Sequence, residues 1–340
     1  MTTHSESVVE RPSAGLDSAQ KISRNLLLAR RSLLPFLLVV ELIVFTLSSN
    51  SFLTVGNFLN IASDATEVAL IGAGMTLVIL MGGIDISTGY AMGVIAWLVA
   101  YLNGVQTNPV LILVAAVAVG ALVGLINGQL VAIFKIPSIV ATLGMSAILQ
   151  TVLFTLWDKT DIFSGPILEG LSRQSKFFGI PTLVLITVAL YLVLYWVTQK
   201  TVFGRSMFAI GSNREAATLA GIRTNIVRIA AFVIVGVTVA LAAVTYVGRV
   251  GVVQASTGGS ITLLAIAAVV VGGTSILGGE GSVLRTLGGV AFIMILQNGV
   301  VLAGVPPLWN GLMIGVVILL AVLLDGIISR LNSDQQGSLA

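Results

Sequence analysis

The chain has 340 residues, 56% of them hydrophobic and 9% charged, with a mean hydropathy of +1.06. Soluble domains carry about 25% charged residues, so a water-soluble globular fold is excluded, and a formal net charge of +3 is too slight to argue for nucleic acid. Cysteine is absent and the single histidine is His4, which removes disulfides, thiol nucleophiles, Cys- or His-ligated metal sites and His-based proton relays.

Residues 1–32 are polar, carry Lys21, Arg24, Arg30 and Arg31, and lack the apolar core and small-residue cleavage site of a secretory leader. They are read as a mostly disordered cytoplasmic tail whose basic cluster keeps the start of the first span inside. About 20 apolar residues are needed to cross a bilayer as a helix. Ten segments qualify: 33–49, 66–82, 87–103, 109–134, 137–157, 181–199, 227–248, 261–278, 284–303 and 307–327. Residues 52–65 are amphipathic and short, as in an interfacial or re-entrant piece. The expected fold is therefore an all-α polytopic membrane protein of about ten transmembrane helices over 33–330, closed by a short cytoplasmic tail, 331–340.

With ten spans and an inner N-terminus, every basic residue except Lys159, Arg173, Lys176 and Arg249 falls on the cytoplasmic side. That is the positive-inside bias, and an odd count would spoil it. Loop 158–180 is then the largest outer loop and 200–226 the largest and most basic inner one.

Charged groups at bilayer depth are costly and usually face a cavity or a partner. Three acids are candidates. Glu41 suits an interhelical contact, or a carboxyl stranded at lipid depth, better than a ligand, and Glu67 lies near an outer end where water reaches it. Asp85 follows Gly82 and Gly83, where a helix can break. It either caps the next helix through the N–H groups of Thr88 or Gly89, or lies beside a solute path. Uncharged amides suit a sugar path, because they pair with hydroxyls without trapping the solute. Asn127, Gln129, Gln150, Gln297 and Asn298 are the candidates, with Trp309 and Asn310 near the outer end of the last span. Helix–helix hydrogen bonding is an equal alternative for each amide. Gly120, Gly124 and Gly128 form a small-residue stripe that suits close helix packing.

Within the inner loop, "GSNREAATLAGIRT" (211–224) interrupts the apolar pattern. Ser212 or Asn213 can cap a helix, Glu215 suits its first turn, and Gly221 can stop it. A helix of about two and a half turns is marginal alone in water and calls for a partner surface, unless it is an ordinary surface link. The Gly-rich "GGTSILGGEGS" (272–282) fails as a phosphate loop, since no Gly-Lys pair occurs in the chain. It is expected to form an inner turn, and ATP hydrolysis by this chain alone is not expected.

"EAATLAG" (215–221) is similar to the Glu-Ala-Ala-x-x-x-Gly signature of ABC importer permeases. "GGIDISTG" (82–89), "INGQLVAIFKIPSIVATLGM" (126–145), "FGRSMFAIGSNREAATLAGI" (203–222), "AIAAVVVGGTSILGGEGSV" (265–283) and "VPPLWNGLMIGVVILLAVLLDG" (305–326) resemble, in order, stretches of the ribose-type sugar permeases. That branch includes permeases for ribose, xylose, rhamnose and the furanosyl autoinducer. The chain departs from it at Thr262, Leu263 and Leu264, where relatives often carry Glu-Leu-Asp.

The resemblance implies a transmembrane subunit that imports a sugar or related compound and is not an enzyme. Ser212, Asn213, Arg214, Glu215, Ala216, Ala217, Leu219 and Gly221 would form the coupling helix, docked on a separate ATP-hydrolysing subunit that carries ATP and Mg. The further expected partners are a second permease copy or a sister permease, a periplasmic sugar-binding protein, and the lipid bilayer of the bacterial inner membrane. An ion-coupled secondary transporter is the alternative, with Asp85 as its thin support. A membrane enzyme ranks last, for want of paired acids or metal-ligand clusters.

Overall fold

The computed structural model describes residues 34–157, 162–163, 168, 176–309, 311–320 and 323; the tails 1–32 and 331–340, most of loop 158–180, and Asn310 lie outside them. Thirteen helices follow one another: α1 (Leu34–Ser48), α2 (Val55–Asp64), α3 (Thr66–Leu80), α4 (Thr88–Gly104), α5 (Pro109–Ala132), α6 (Ser138–Trp157), α7 (Thr182–Lys200), α8 (Val202–Ser212), α9 (Arg214–Leu219), α10 (Thr224–Val250), α11 (Ile261–Val271), α12 (Val283–Leu302) and α13 (Gly311–Leu320).

A helix lies in each of the ten apolar segments, but their lengths differ from the expectation. Five helices (α5, α6, α7, α10 and α12) are long and apolar enough to cross a membrane. The number is six if α2 and α3, which meet at 47°, form one broken span. Among the described residues the crossing count therefore stands at five or six on length and composition. Segment 261–278 was expected as one span, yet α11 stops at Val271, where Gly272 and Gly273 (φ +82°) end it. The apolar Ile276 and Leu277 that stretched the hydropathy run belong to the turn that follows.

Local chemistry sets several boundaries. Asn108 caps α5 by accepting from the Val110 N–H at 2.9 Å, with Pro109 in the first turn. The 27-residue α10 ends at Gly251, which takes the left-handed conformation at φ +74°. At the end of α3, Gly82 (φ +70°) turns the chain out of the helix before Asp85, the break expected from the Gly-Gly pair.

Every residue of α3 is buried, which is why it is apolar on all sides. It is packed by α7, α10, α11 and α12. By contrast, α5, α6 and α7 expose Val110, Leu111, Val114, Ile148, Leu192 and Trp196, an outer surface that suits lipid and not water.

The glycine stripe on α5 does what close packing requires. A Cβ on Gly120 would overlap the carbonyl of Gly236 in α10, one on Gly124 the carbonyl of Phe232, and one on Gly128 the Cα of Ile229. The two backbones thus touch along three successive turns. Two short antiparallel pairs complete the fold. One joins β1 (Ile162–Phe163) to β4 (Val252–Val253), and the other joins β2 (Lys176–Phe177) to β3 (Ile180–Pro181).

Candidate coupling and translocation sites

At one end of the bundle α9 stands as a small helix with both termini capped. The Asn213 side chain accepts from the Ala216 N–H at 2.9 Å, while Ser212 finishes α8 by donating to the Phe208 carbonyl, so Asn213 is the cap. At the other terminus Gly221 takes φ +83°. Its N–H bonds the Thr218 carbonyl and the Ile222 N–H bonds the Ala217 carbonyl, the paired closure of a Schellman motif. These two devices leave six helical residues, shorter than the two and a half turns expected, because Asn213 and Ala220 serve as caps.

The helix has two faces. Ala217 is buried against the bundle, and Arg214 Nη2 donates to Asn225 Oδ1 at 3.3 Å, so these two residues anchor it. Ser212, Asn213, Glu215, Ala216 and Gly221 are exposed, and Leu219 is 90% exposed.

The end of α8, just ahead of the α9 cap, rests on main chain. A Cβ on Gly211 would overlap the Leu80 carbonyl at the end of α3 and the N–H of Gly279 in the 272–282 turn. The Gly279 N–H also bonds the Leu80 carbonyl at 2.9 Å. Leu277 in that turn is 72% exposed.

The break between α3 and α4 holds a buried polar cluster. Asp85 Oδ1 accepts from the Ser87 N–H at 3.0 Å and the Ser87 hydroxyl at 2.6 Å. Asn127 Nδ2 donates to Ser87 Oγ at 2.8 Å and reaches both Asp85 oxygens at 3.4 Å. Asp85 thus closes a turn ahead of α4 through Ser87, not through the Thr88 or Gly89 N–H groups. The Gly89 N–H is instead capped across the bundle by Thr262 Oγ1 at 2.8 Å.

Thr262 is the first of the three residues where the chain departs from the sugar-permease pattern, and this cap was not legible from it. Thr262→Val should leave the Gly89 N–H buried without an acceptor and cost about 1–2 kcal/mol. A thermal midpoint in detergent equal to wild type would contradict that. Asp85→Asn keeps an oxygen acceptor for Ser87, so the expected cost is at most about 1 kcal/mol. Uptake should stay closer to wild type than in any variant that disrupts α9, and normal expression with no uptake would give Asp85 a direct part in the path.

The other path candidates do not form one site. Gln150 Nε2 donates to the Tyr90 hydroxyl at 2.7 Å, joining α6 to α4. Asn298 exchanges two hydrogen bonds with Asn57, at 2.9 and 3.0 Å, joining α12 to α2. Gln297 is half-buried, Gln129 is exposed, and Trp309 is half-exposed in a 3-10 turn. Glu41 is buried on α1 with neither oxygen hydrogen-bonded, which leaves the expected interhelical contact without a polar partner.

At the bundle end opposite α9, Glu67 is buried and not wet as expected. Arg249 Nε and Nη2 donate to its two oxygens at 2.8 and 3.1 Å, and Arg249 Nη1 donates to Asp64 at 2.6 Å. The pairing joins α10 to α2 and α3 across more than 180 positions, a separation that hydropathy does not register.

Among the described residues no cluster of three His, Asp or Glu side chains could hold a metal ion. A bundle with a lipid-compatible exterior, a broken helix with buried polar groups at its centre and a capped helix at one end defines a polytopic membrane permease. Residues 57–322 match the family described as branched-chain amino acid transport system, permease component. The chain belongs to that family, as a permease subunit of the sugar ABC importer type. It is 35% identical to the ribose import permease protein RbsC of Escherichia coli (strain K12), over 88% of this chain and 94% of the relative. It is 34% identical to the autoinducer 2 import system permease protein LsrC of Escherichia coli O9:H4 (strain HS) and of Shigella flexneri, over 87% of each chain. No solved structure matches it.

Proposed function

We propose that this chain forms half of the membrane path of an importer for a monosaccharide or related furanosyl compound, and that α9 is where a separate ATP-hydrolysing subunit grips it. The observation that carries the reading is the exposed, doubly capped α9 with Leu219 bare at its tip. In this reading Ser212, Asn213, Glu215, Ala216 and Leu219 meet the ATPase. Arg214, Ala217 and Gly221 hold the helix in shape and against the bundle.

ATP and Mg belong to that partner, a second permease copy or sister permease completes the path, and a periplasmic binding protein delivers the solute. The α9 end then faces the cytoplasm, with both termini, and the Arg249–Glu67 end faces the periplasm of the inner membrane. The ligand classes come from the ribose and autoinducer relatives. Force transmission requires α9 to bind the ATPase differently in its two nucleotide states, since equal affinity shifts nothing.

Reconstitution tests the proposal. Ribose uptake into proteoliposomes should require the ATPase, the binding protein and ATP together. Solute movement by the purified permease alone would overturn the reading in favour of an ion-coupled carrier.

A further inference from the structure

Residues 251–260 lie between the expected spans 227–248 and 261–278, on the outer side with Arg249, but the structure places part of them inside the bundle. A Cβ on Gly89 would overlap the Gly258 carbonyl, and one on Gly93 would crowd the Thr257 carbonyl. The stretch therefore lies against the first two turns of α4. From Gly93 α4 runs 11 further residues to Gly104, about 16 Å, toward the end that holds Arg249. From the same level α11 runs 11 residues, about 16 Å, toward the end that holds α9. A hydrocarbon core is about 30 Å thick, so this irregular stretch sits near its middle.

At that depth Ser256, Gly259, Ser260 and Leu263 are exposed. Non-helical backbone is tolerated within a membrane only where protein covers it or water fills a cavity beside it. Tyr90 borders the same place, half-buried, with its hydroxyl 3.6 Å from where a Cβ on Gly259 would stand and bonded to Gln150. Residues 250–279 contain no charged side chain.

We infer that Ser256, Gly259 and Ser260, with Tyr90 beside Gly259 and Gln150 bonded to Tyr90, line the solute path and contact a small uncharged polyhydroxylated solute. Hydroxyls of serine and tyrosine, the glutamine amide and bare glycine backbone offer both donors and acceptors, and residues 250–279 bring no charge that would favour an ion. The half-exposed tyrosine ring adds an apolar face for the C–H surface of a sugar ring. The inference rests on the permease reading and adds to its path Ser256, Gly259 and Ser260, which lie between two expected spans.

The absence of cysteine provides a clean background for the test. Ser256→Cys and Ser260→Cys are each exposed to a membrane-impermeant charged methanethiosulfonate in proteoliposomes carrying the full complex. Leu192→Cys on the outer face of α7 is the lipid-facing control. Both serine-site cysteines should react at least ten times faster than the control, labelling should abolish ATP-driven ribose uptake, and saturating ribose should slow the reaction. Rates equal to the control would overturn the inference, and so would a cysteine that resists reagent but cross-links to a second copy. If the unlabelled variants import ribose with ATP while their thiols stay unreactive, only the path assignment falls. If the wild-type complex shows no ATP-driven uptake, the permease reading falls, and labelling rates still report whether water reaches this stretch.

Discussion

Gly221→Val is expected to reduce ATP-driven uptake about ten-fold while the protein remains in the membrane at wild-type abundance. Gly221 holds φ +83° with open space around it, so the substitution meets no steric wall. The strain is in the backbone. A branched L-residue in the left-handed region costs ~1–2 kcal/mol, and ~1.4 kcal/mol is a factor of ten in a population. A helix of six residues has no reserve to absorb that loss. The Schellman closure opens and Leu219 loses its fixed position, so the surface proposed to meet the ATPase is no longer preformed. Glu215→Lys attacks the same contact by another route, placing a positive charge in the first turn, against the helix dipole. ATPase activity of the assembled complex, measured beside uptake, separates failed docking from failed transmission. Wild-type uptake by both variants would remove the coupling role from α9.

The second large effect is expected at the opposite end. Arg249→Leu strands the Glu67 carboxylate, which is 1% exposed and accepts two hydrogen bonds from Arg249. Removing one partner of a buried pair costs about 3–5 kcal/mol, because the remaining charge stays buried without compensation. Abundance and the thermal midpoint in detergent should both fall sharply. The double change Arg249→Leu with Glu67→Leu should recover most of the loss, since Asp64 is partly exposed and can hydrate. A single variant as stable as wild type would show that the pair does not hold α10 to α3.

The features legible in the sequence were those written in neighbouring residues. Apolar runs located ten of the thirteen described helices in order, because burial and lipid exposure both demand apolar side chains over the length of a helix. The Asn213 cap, the Gly221 stop and the Gly82 break were readable for the same reason, each depending on residues within one or two turns. What escaped were relations across the bundle. The acceptor for the α4 N-terminus is Thr262, 173 positions away, and nothing in "STGYAM" names it. Glu67 looked wet because its ion partner lies at the far end of α10. The entry of 254–260 into the bundle was hidden by its polar, glycine-rich composition, which resembles an ordinary surface turn. The candidate site was therefore legible where it is a local helix, and illegible where it is assembled from segments that meet only after packing.

The seam beneath α9 has a mechanical implication. Gly211, Leu80 and Gly279 meet through carbonyls, N–H groups and α-carbons, and main-chain atoms have no rotamers with which to yield. A displacement at Ser212 consequently arrives at the end of α3 almost undiminished, in the manner of a rod bearing on a rod and not on a cushion.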